Sequence, residues 1–247
     1  MKKIIFVRHG ESTENLANKK GEKYDESKIV LTKDGIKQVK VTGKYLHKTF
    51  GKFDKIYCSP VHRCRQTYDI ISEEIKSSNK DLIIDDLIIE LGAYKNIYNG
   101  MTEAEINNIH GKNKDLTNLI HELDKTIDPY EKYELKMKQL KLLEKMHKDD
   151  VIPNLTDITN NCSKFLRNLK NTKYNKILVI THGGIIDVIQ RLVCNLENKI
   201  IMNFYISTKT FNDKDELKGN CCCLCIGLEN NKYKLIMPSN TYHLIKN

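Results

Sequence analysis

Two histidines, two arginines and a glutamate carry the chemical content of this sequence. His9 closes the stretch Ile4-Ile5-Phe6-Val7-Arg8-His9-Gly10-Glu11-Ser12, where four apolar residues stop abruptly at an arginine and a histidine. His182 closes a second such stretch, Lys176-Ile177-Leu178-Val179-Ile180-Thr181-His182-Gly183-Gly184. Between them lie Arg63, in Ser59-Pro60-Val61-His62-Arg63, and Glu90, after the apolar run that begins at Leu82. A neutral imidazole is a competent nucleophile toward phosphorus, and arginine forks hold the oxygens over which a transferring phosphoryl spreads its charge. His9 is therefore the candidate nucleophile, forming a phosphohistidine, with Arg8, Arg63 and His182 as phosphate ligands. A carboxyl with a pKa raised by partial burial can protonate a leaving alkoxide and then activate water, the role expected of Glu90. No metal is required. One histidine beside an arginine is a weak signal, and Arg63 with Arg65 could form a solvated basic face. Two strands that both end in histidine are harder to explain as packing.

These groups act together only if the elements carrying them converge. Short apolar runs at Ile4–Val7, Phe53–Cys58, within 82–92 with Glu90 at its end, and at Lys176–Thr181 read as buried strands. Helical patterns separate them. Thr32 is a plausible N-cap for a helix running to about Phe50, which Gly51 then stops. Ser59 and Pro60 read as cap and first turn of the next helix, which places Arg63 near a helix N-terminus, where an anion is favoured. Further helices are expected from Thr102, where Thr102 and Glu105 form a capping box, over 130–150, and from about Thr156 to Leu169. Gly183 and Gly184 let backbone approach a ligand before an apolar helix that runs to Val193. Strands alternating with helices imply a mostly parallel sheet, with Arg8, His9, Arg63, Glu90 and His182 along one edge. Asn15, six positions beyond His9, could turn back toward it. Residues 101–152, between loop and proline signals, read as a helical insertion covering the site of a single 1–247 domain.

Composition narrows the partners. The net charge is +9, yet the lysines are spread along the whole chain, which favours anionic small molecules over a nucleic-acid patch. Only five arginines occur, so one beside His9 is informative. No apolar run approaches the roughly 18 residues that span a bilayer, and Lys2-Lys3 precede an apolar stretch too short for a signal peptide. A cytoplasmic protein without membrane or nucleic-acid partners is expected. Its oligomeric state is open, a homodimer being compatible with the sequence. The eight cysteines are then reduced thiols. Cys221-Cys222-Cys223-Leu224-Cys225 lacks a second metal knuckle and reads as part of a buried strand over Cys221–Leu228.

Arg8-His9-Gly10-Glu11-Ser12 with Asn15, Leu31-Thr32 to Gly35 and Gln38, Ser59-Pro60 to Arg63 with Gln66-Thr67, Glu90, and Thr181-His182-Gly183-Gly184 resemble, in order, the signatures of the histidine phosphatase superfamily. That group contains the cofactor-dependent phosphoglycerate mutases. The resemblance spans essentially the whole chain and implies a three-layer α/β/α fold. It also implies phosphohistidine chemistry on His9, phosphate binding by Arg8, Arg63, His182 and Gly183, proton transfer by Glu90, and a substrate contact at Asn15. The mutases follow their acid with Arg-His-Tyr-Gly, where this chain has Leu91-Gly92-Ala93-Tyr94, and no arginine occurs between Arg65 and Arg167. Gly100-Met101-Thr102 with Glu105-Ile106 resembles the phosphatase branch, although Gly100 lies further from Glu90 than is usual there. The expected activity is hydrolysis of a small phosphomonoester without a cofactor. A mutase using 2,3-bisphosphoglycerate as phosphoryl donor, suggested by the long insertion, and a phospho-ligand binding or signalling module are the alternatives.

Overall fold

The computed structural model describes residues 1–20, 22, 24–25, 28–77, 79–89, 112–125, 135, 138, 142, 155–194 and 219–245. Among these, six strands form one sheet: β1 (Lys2–Arg8), β2 (Lys55–Cys58), β3 (Leu82–Ile84), β4 (Lys176–Thr181), β5 (Cys223–Glu229) and β6 (Lys232–Asn240). Their spatial order is β3-β2-β4-β1-β5-β6. The first four run parallel, as alternating strands and helices require, while β5 and β6 add an antiparallel margin next to β1. The helices are α1 (Thr13–Lys20), α2 (Lys33–Phe50), α3 (His62–Ile75), α4 (Lys114–Lys125), α5 (Leu155–Lys170), α6 (Gly183–Cys194) and the short α7 (Tyr242–Ile245).

The strands are apolar on both faces because each face is covered. Ile4 and Phe6 of β1, Ile177 and Val179 of β4, and Leu224 and Ile226 of β5 pack with Phe165 and Leu169 of α5 and Ile185, Ile186 and Ile189 of α6. The alternate residues Ile5, Val7, Leu178, Ile180, Cys223 and Cys225 turn to the other layer. There they meet Val39 and Leu46 of α2 and Tyr68, Ile71 and Ile75 of α3. A strand period of two thus feeds two cores, and the result is a three-layer α/β/α sandwich. The cysteine run enters both layers, with Cys222 on one side and Cys221, Cys223 and Cys225 on the other, all buried and none in a disulfide. Burial pushes the Cys221 thiol up to about 12 and Cys225 to about 11, so they act as small apolar groups.

Local signals set α2 as expected. Thr32 Oγ1 accepts from the Gly35 N–H at 2.9 Å, and Gly51 ends the helix with φ of 67°. Two elements differ from the sequence reading. The third strand stops at Ile84, six residues before Glu90, because Asp85 accepts from the Leu87 N–H at 2.9 Å and folds Asp86–Ile88 into a 3-10 turn. Helix α3 starts at His62, after Val61, with no side-chain cap, since the Ser59 hydroxyl is engaged elsewhere. The helix expected from Thr102 lies outside the described residues. So does most of the 101–152 insertion, apart from residues 112–125, which include α4, and the helical positions Leu135, Lys138 and Leu142.

Candidate active site

The site begins with the turn after β1, which is held by backbone contacts that tolerate no extra atoms. A side chain on Gly35, in the first turn of α2, would place its Cβ 2.0 Å from the Glu11 carbonyl oxygen. One on Gly10 would lie 2.5 Å from Val39 Cγ2 and 2.8 Å from the Gly35 carbonyl oxygen. Both positions need glycine for close approach. The sequence signatures around Leu31 and Gln66 serve the same turn. Gln38 Oε1 accepts from the Glu11 N–H at 3.1 Å, Gln66 Oε1 from the Leu31 N–H at 2.9 Å, and Thr67 Oγ1 from the Gly10 N–H at 3.2 Å. Thr32 donates its hydroxyl to Glu11 Oε1 at 2.9 Å while it caps α2.

His9 continues the ladder of β1 by donating its backbone N–H to the Thr181 carbonyl at 2.9 Å. Its side chain is buried, and its ring lies 5.3 Å from that of His182, nearly edge to face. The ring protons follow from partners that have only one role. The Gly10 carbonyl can only accept, so His9 Nδ1 donates to it at 2.8 Å. Arg63 can only donate, so His9 Nε2 accepts from Arg63 Nε at 3.0 Å. Arg63 Nη2 reaches His182 Nδ1 at 3.3 Å, which puts the His182 proton on Nε2, donated to Ser59 Oγ at 2.9 Å. Each ring thus presents a bare nitrogen to one guanidinium. Burial, then the neighbouring His182, Arg8 and Arg63, hold the His9 pKa well below the ordinary histidine value, against a smaller opposing pull from the Gly10 carbonyl. Burial and the two arginines do the same to His182. Both imidazoles are neutral at pH 7.

Arg8 lies flat against the start of α6: a Cβ on Gly183 would sit 3.3 Å from Arg8 Nε and 3.4 Å from its Cδ. The N-terminus of a 12-residue helix and a guanidinium thereby adjoin His182 and His9, an arrangement suited to a phosphate. Asn15 does not reach the His9 ring among the described contacts. Its Oδ1 accepts from the Ser12 N–H at 3.2 Å and from Asn220 Nδ2 at 2.8 Å, and the same Asn220 amide lies 3.4 Å from the His9 carbonyl oxygen. Glu90 lies outside the described residues. The chain leading to it is tied to the site, because Thr181 Oγ1 donates to the carbonyl of the buried Ile88 at 2.8 Å. No group of three or more His, Cys, Asp or Glu that could hold a metal occurs among the described residues. None of the described helices is long and apolar enough to cross a membrane.

Sequence reasoning missed three participants. Glu14, in the first turn of α1, places Oε2 3.3 Å from Arg63 Nη1. Asn220 links the turn before β5 to the turn after β1. Ser59 orients His182 instead of capping α3. Only Ser59 carried a signal, its place immediately after a strand whose end lies at the site edge.

The fold is shared with solved proteins of low sequence identity. A phosphoserine phosphatase from Entamoeba histolytica, solved with phosphoserine, superposes with a TM-score of 0.60 at 19% identity, covering 99% of this chain and 100% of the other. YhfR of Bacillus stearothermophilus gives 0.61 at 13% identity, covering 99% and 100%. A mycobacterial glucosyl-3-phosphoglycerate phosphatase gives 0.56 at 13%, covering 96% and 98%. No curated protein matches by sequence. The family model of the histidine phosphatase superfamily (branch 1) matches residues 4–134, more than half of the chain and the part that contains Arg8, His9 and Arg63. With that match, and the three-layer fold that carries His9 and His182 to one sheet edge, the chain belongs to the histidine phosphatase superfamily, branch 1.

Proposed function

We propose that the protein hydrolyses a small phosphomonoester through a phosphohistidine on His9. One observation carries the reading: the Nδ1 proton of His9 is committed to the Gly10 carbonyl, which leaves the Nε2 lone pair facing Arg63 in a neutral, buried ring. A neutral imidazole so oriented needs no base to become a nucleophile. The phosphoryl group takes the place of the Arg63 Nε–H at Nε2, and its oxygens are received by Arg63, Arg8 and the N-terminus of α6 at Gly183, and by His182 once its Nδ1, bare in the free site, has taken up the proton of the incoming phosphate monoanion. The Nε2–P bond forms as the P–O ester bond breaks. The ring becomes cationic, and its Nδ1–H stays on the Gly10 carbonyl, which stabilises that charge. Glu90 supplies the proton that the leaving alkoxide needs. Water then attacks phosphorus, Glu90 recovers a proton, the N–P bond breaks, and inorganic phosphate leaves a neutral His9. Asn15, through Ser12 and Asn220, holds the turn that carries the nucleophile. The scheme uses no metal and no cofactor.

The phosphatase activities named for two structural neighbours support hydrolysis, as does the absence of arginine from residues 66–166, where a mutase would grip a second phosphate. The deciding experiment incubates the protein with 3-phosphoglycerate, with and without 2,3-bisphosphoglycerate, and with a panel of other phosphomonoesters, following isomerisation and free phosphate. The expected result is phosphate release from at least one ester, with an acid-labile phosphoenzyme, by wild type and not by His9→Ala. Rapid isomerisation that depends on the bisphosphate selects the mutase instead. Turnover unchanged in His9→Ala overturns the mechanism.

A further inference from the structure

The proposed reaction leaves one charged group at the site without a role. Glu14 lies five residues after His9, and its carboxylate Oε2 is 3.3 Å from Arg63 Nη1. Its second oxygen accepts from the Tyr24 hydroxyl at 3.4 Å. The Glu14 and Arg63 side chains are 22% and 11% exposed, so salt screens the pair less than it screens a surface ion pair.

The described contacts of Arg63 include Nε on His9, Nη2 on His182 and Nη1 on Glu14. The His9 Nε2 lone pair cannot both accept from Arg63 and attack phosphorus. A phosphoryl group that reaches it must take over the Nε–H, while the far nitrogen of the same guanidinium is held by a carboxylate. Glu14 is thus an anion of the protein itself, already bound to part of the anion site. Two effects of opposite sign follow. Its charge opposes the entry of a phosphoryl dianion and favours its departure. Its ion pair with Nη1 restrains the rotation of the guanidinium, and so the direction in which Nε points.

We propose that Glu14 is a positioning residue that competes with phosphate for Arg63, and so sets how tightly the site holds a phosphoryl dianion. The proposal rests on the phosphatase reading above. Its chemical consequence is weak retention of inorganic phosphate, the product that would otherwise occupy two arginines and two imidazoles.

The test uses the full chain as wild type, Glu14→Gln and Glu14→Asp. Inorganic phosphate binding is titrated by calorimetry, kcat and KM are measured with an aryl phosphate, and thermal midpoints are recorded. Glu14→Gln keeps the size and a polar oxygen within reach of Arg63 but removes the charge. It is expected to bind phosphate on the order of tenfold more tightly at low salt, a gain that shrinks as salt is added, with kcat and KM both lower. Glu14→Asp, which keeps the charge, is expected to return phosphate affinity toward the wild-type value. A stability role alone would lower the thermal midpoint and leave phosphate affinity unmoved. Phosphate affinity unchanged or weaker in Glu14→Gln, in a wild type that turns over, overturns the role of Glu14 and leaves the phosphatase reading intact. A wild type that neither binds phosphate nor releases it from any ester overturns both.

Discussion

Replacing Ser59 with alanine separates two roles open to one hydroxyl. The residue precedes α3 and has the sequence character of a helix cap, yet its Oγ lies 2.9 Å from His182 Nε2, 123 residues away. Both side chains are fully buried. In the variant, the His182 Nε2–H loses its hydroxyl acceptor in a place that water does not reach and keeps the Cys64 sulfur, a weak acceptor at 3.5 Å, so the loss costs about 1–3 kcal/mol. For a chain of this size, 1 kcal/mol moves the thermal midpoint by roughly 2–4 °C, so a fall of roughly 4–8 °C is expected for a cost near the middle of that range. A lost cap would cost a similar amount, about 1 kcal/mol. The size of the effect therefore does not discriminate, but its dependence on His182 does. Urea denaturation of wild type, Ser59→Ala, His182→Leu and the double variant gives the coupling directly. The expected coupling is about 1–3 kcal/mol, because alanine at 59 has nothing left to orphan once the imidazole is gone. An equal cost of Ser59→Ala in both backgrounds would refute the assignment and restore the helix-cap role. The activity of Ser59→Ala should fall as well, since a His182 ring free to rotate no longer offers Arg63 a bare Nδ1.

Two further perturbations follow from the described geometry. His243 in α7 stacks on Tyr45 at 4.7 Å and donates Nε2–H to Thr42 Oγ1 at 3.0 Å, the Thr42 hydroxyl itself donating to the Gln38 carbonyl. Burial pushes its pKa down from 6.5 to about 4. The unfolded chain then takes up the proton first, so the stability this ring contributes is fully present above pH 6.5 and is lost as pH falls toward 4, by roughly 3 kcal/mol in all. His243→Asn should flatten the pH dependence of the urea midpoint between pH 7.5 and 4.5 by most of that amount, while the acid sensitivity due to His9 and His182 persists; an unchanged slope would contradict the assignment. Gly35→Ala should destabilise by about 3 kcal/mol or more and abolish activity, because its Cβ has only 2.0 Å to the Glu11 backbone oxygen and no flexible side chain can yield there. A Gly35→Ala protein with the wild-type thermal midpoint would show that the turn after β1 is not packed on α2 as described.

The sequence by itself determined what nearest neighbours along the chain decide. Thr32 and Gly51 bound α2 because a cap and a stop act within one helical turn. The apolar runs that end at Arg8 and Thr181 became β1 and β4, because strands covered on both faces are continuously apolar. The types of the reactive residues were legible for the same reason, since His9 and His182 each follow directly from such a run. Position along the chain did not decide partnership. Ser59 looked like a cap until the parallel pairing of β2 with β4 brought its hydroxyl beside His182. The third strand looked long enough to reach Glu90 until Asp85 closed a turn at its end. Glu14 and Asn220 carry no periodicity that marks them, and they matter only because α1 and the turn before β5 fold over the end of β1. The proton positions on His9 and His182 are likewise tertiary facts: a ring's tautomer is set by partners that can only donate or only accept, and of the two that set these rings, the Gly10 carbonyl and the Arg63 guanidinium, the second lies 54 residues from His9 and 119 from His182.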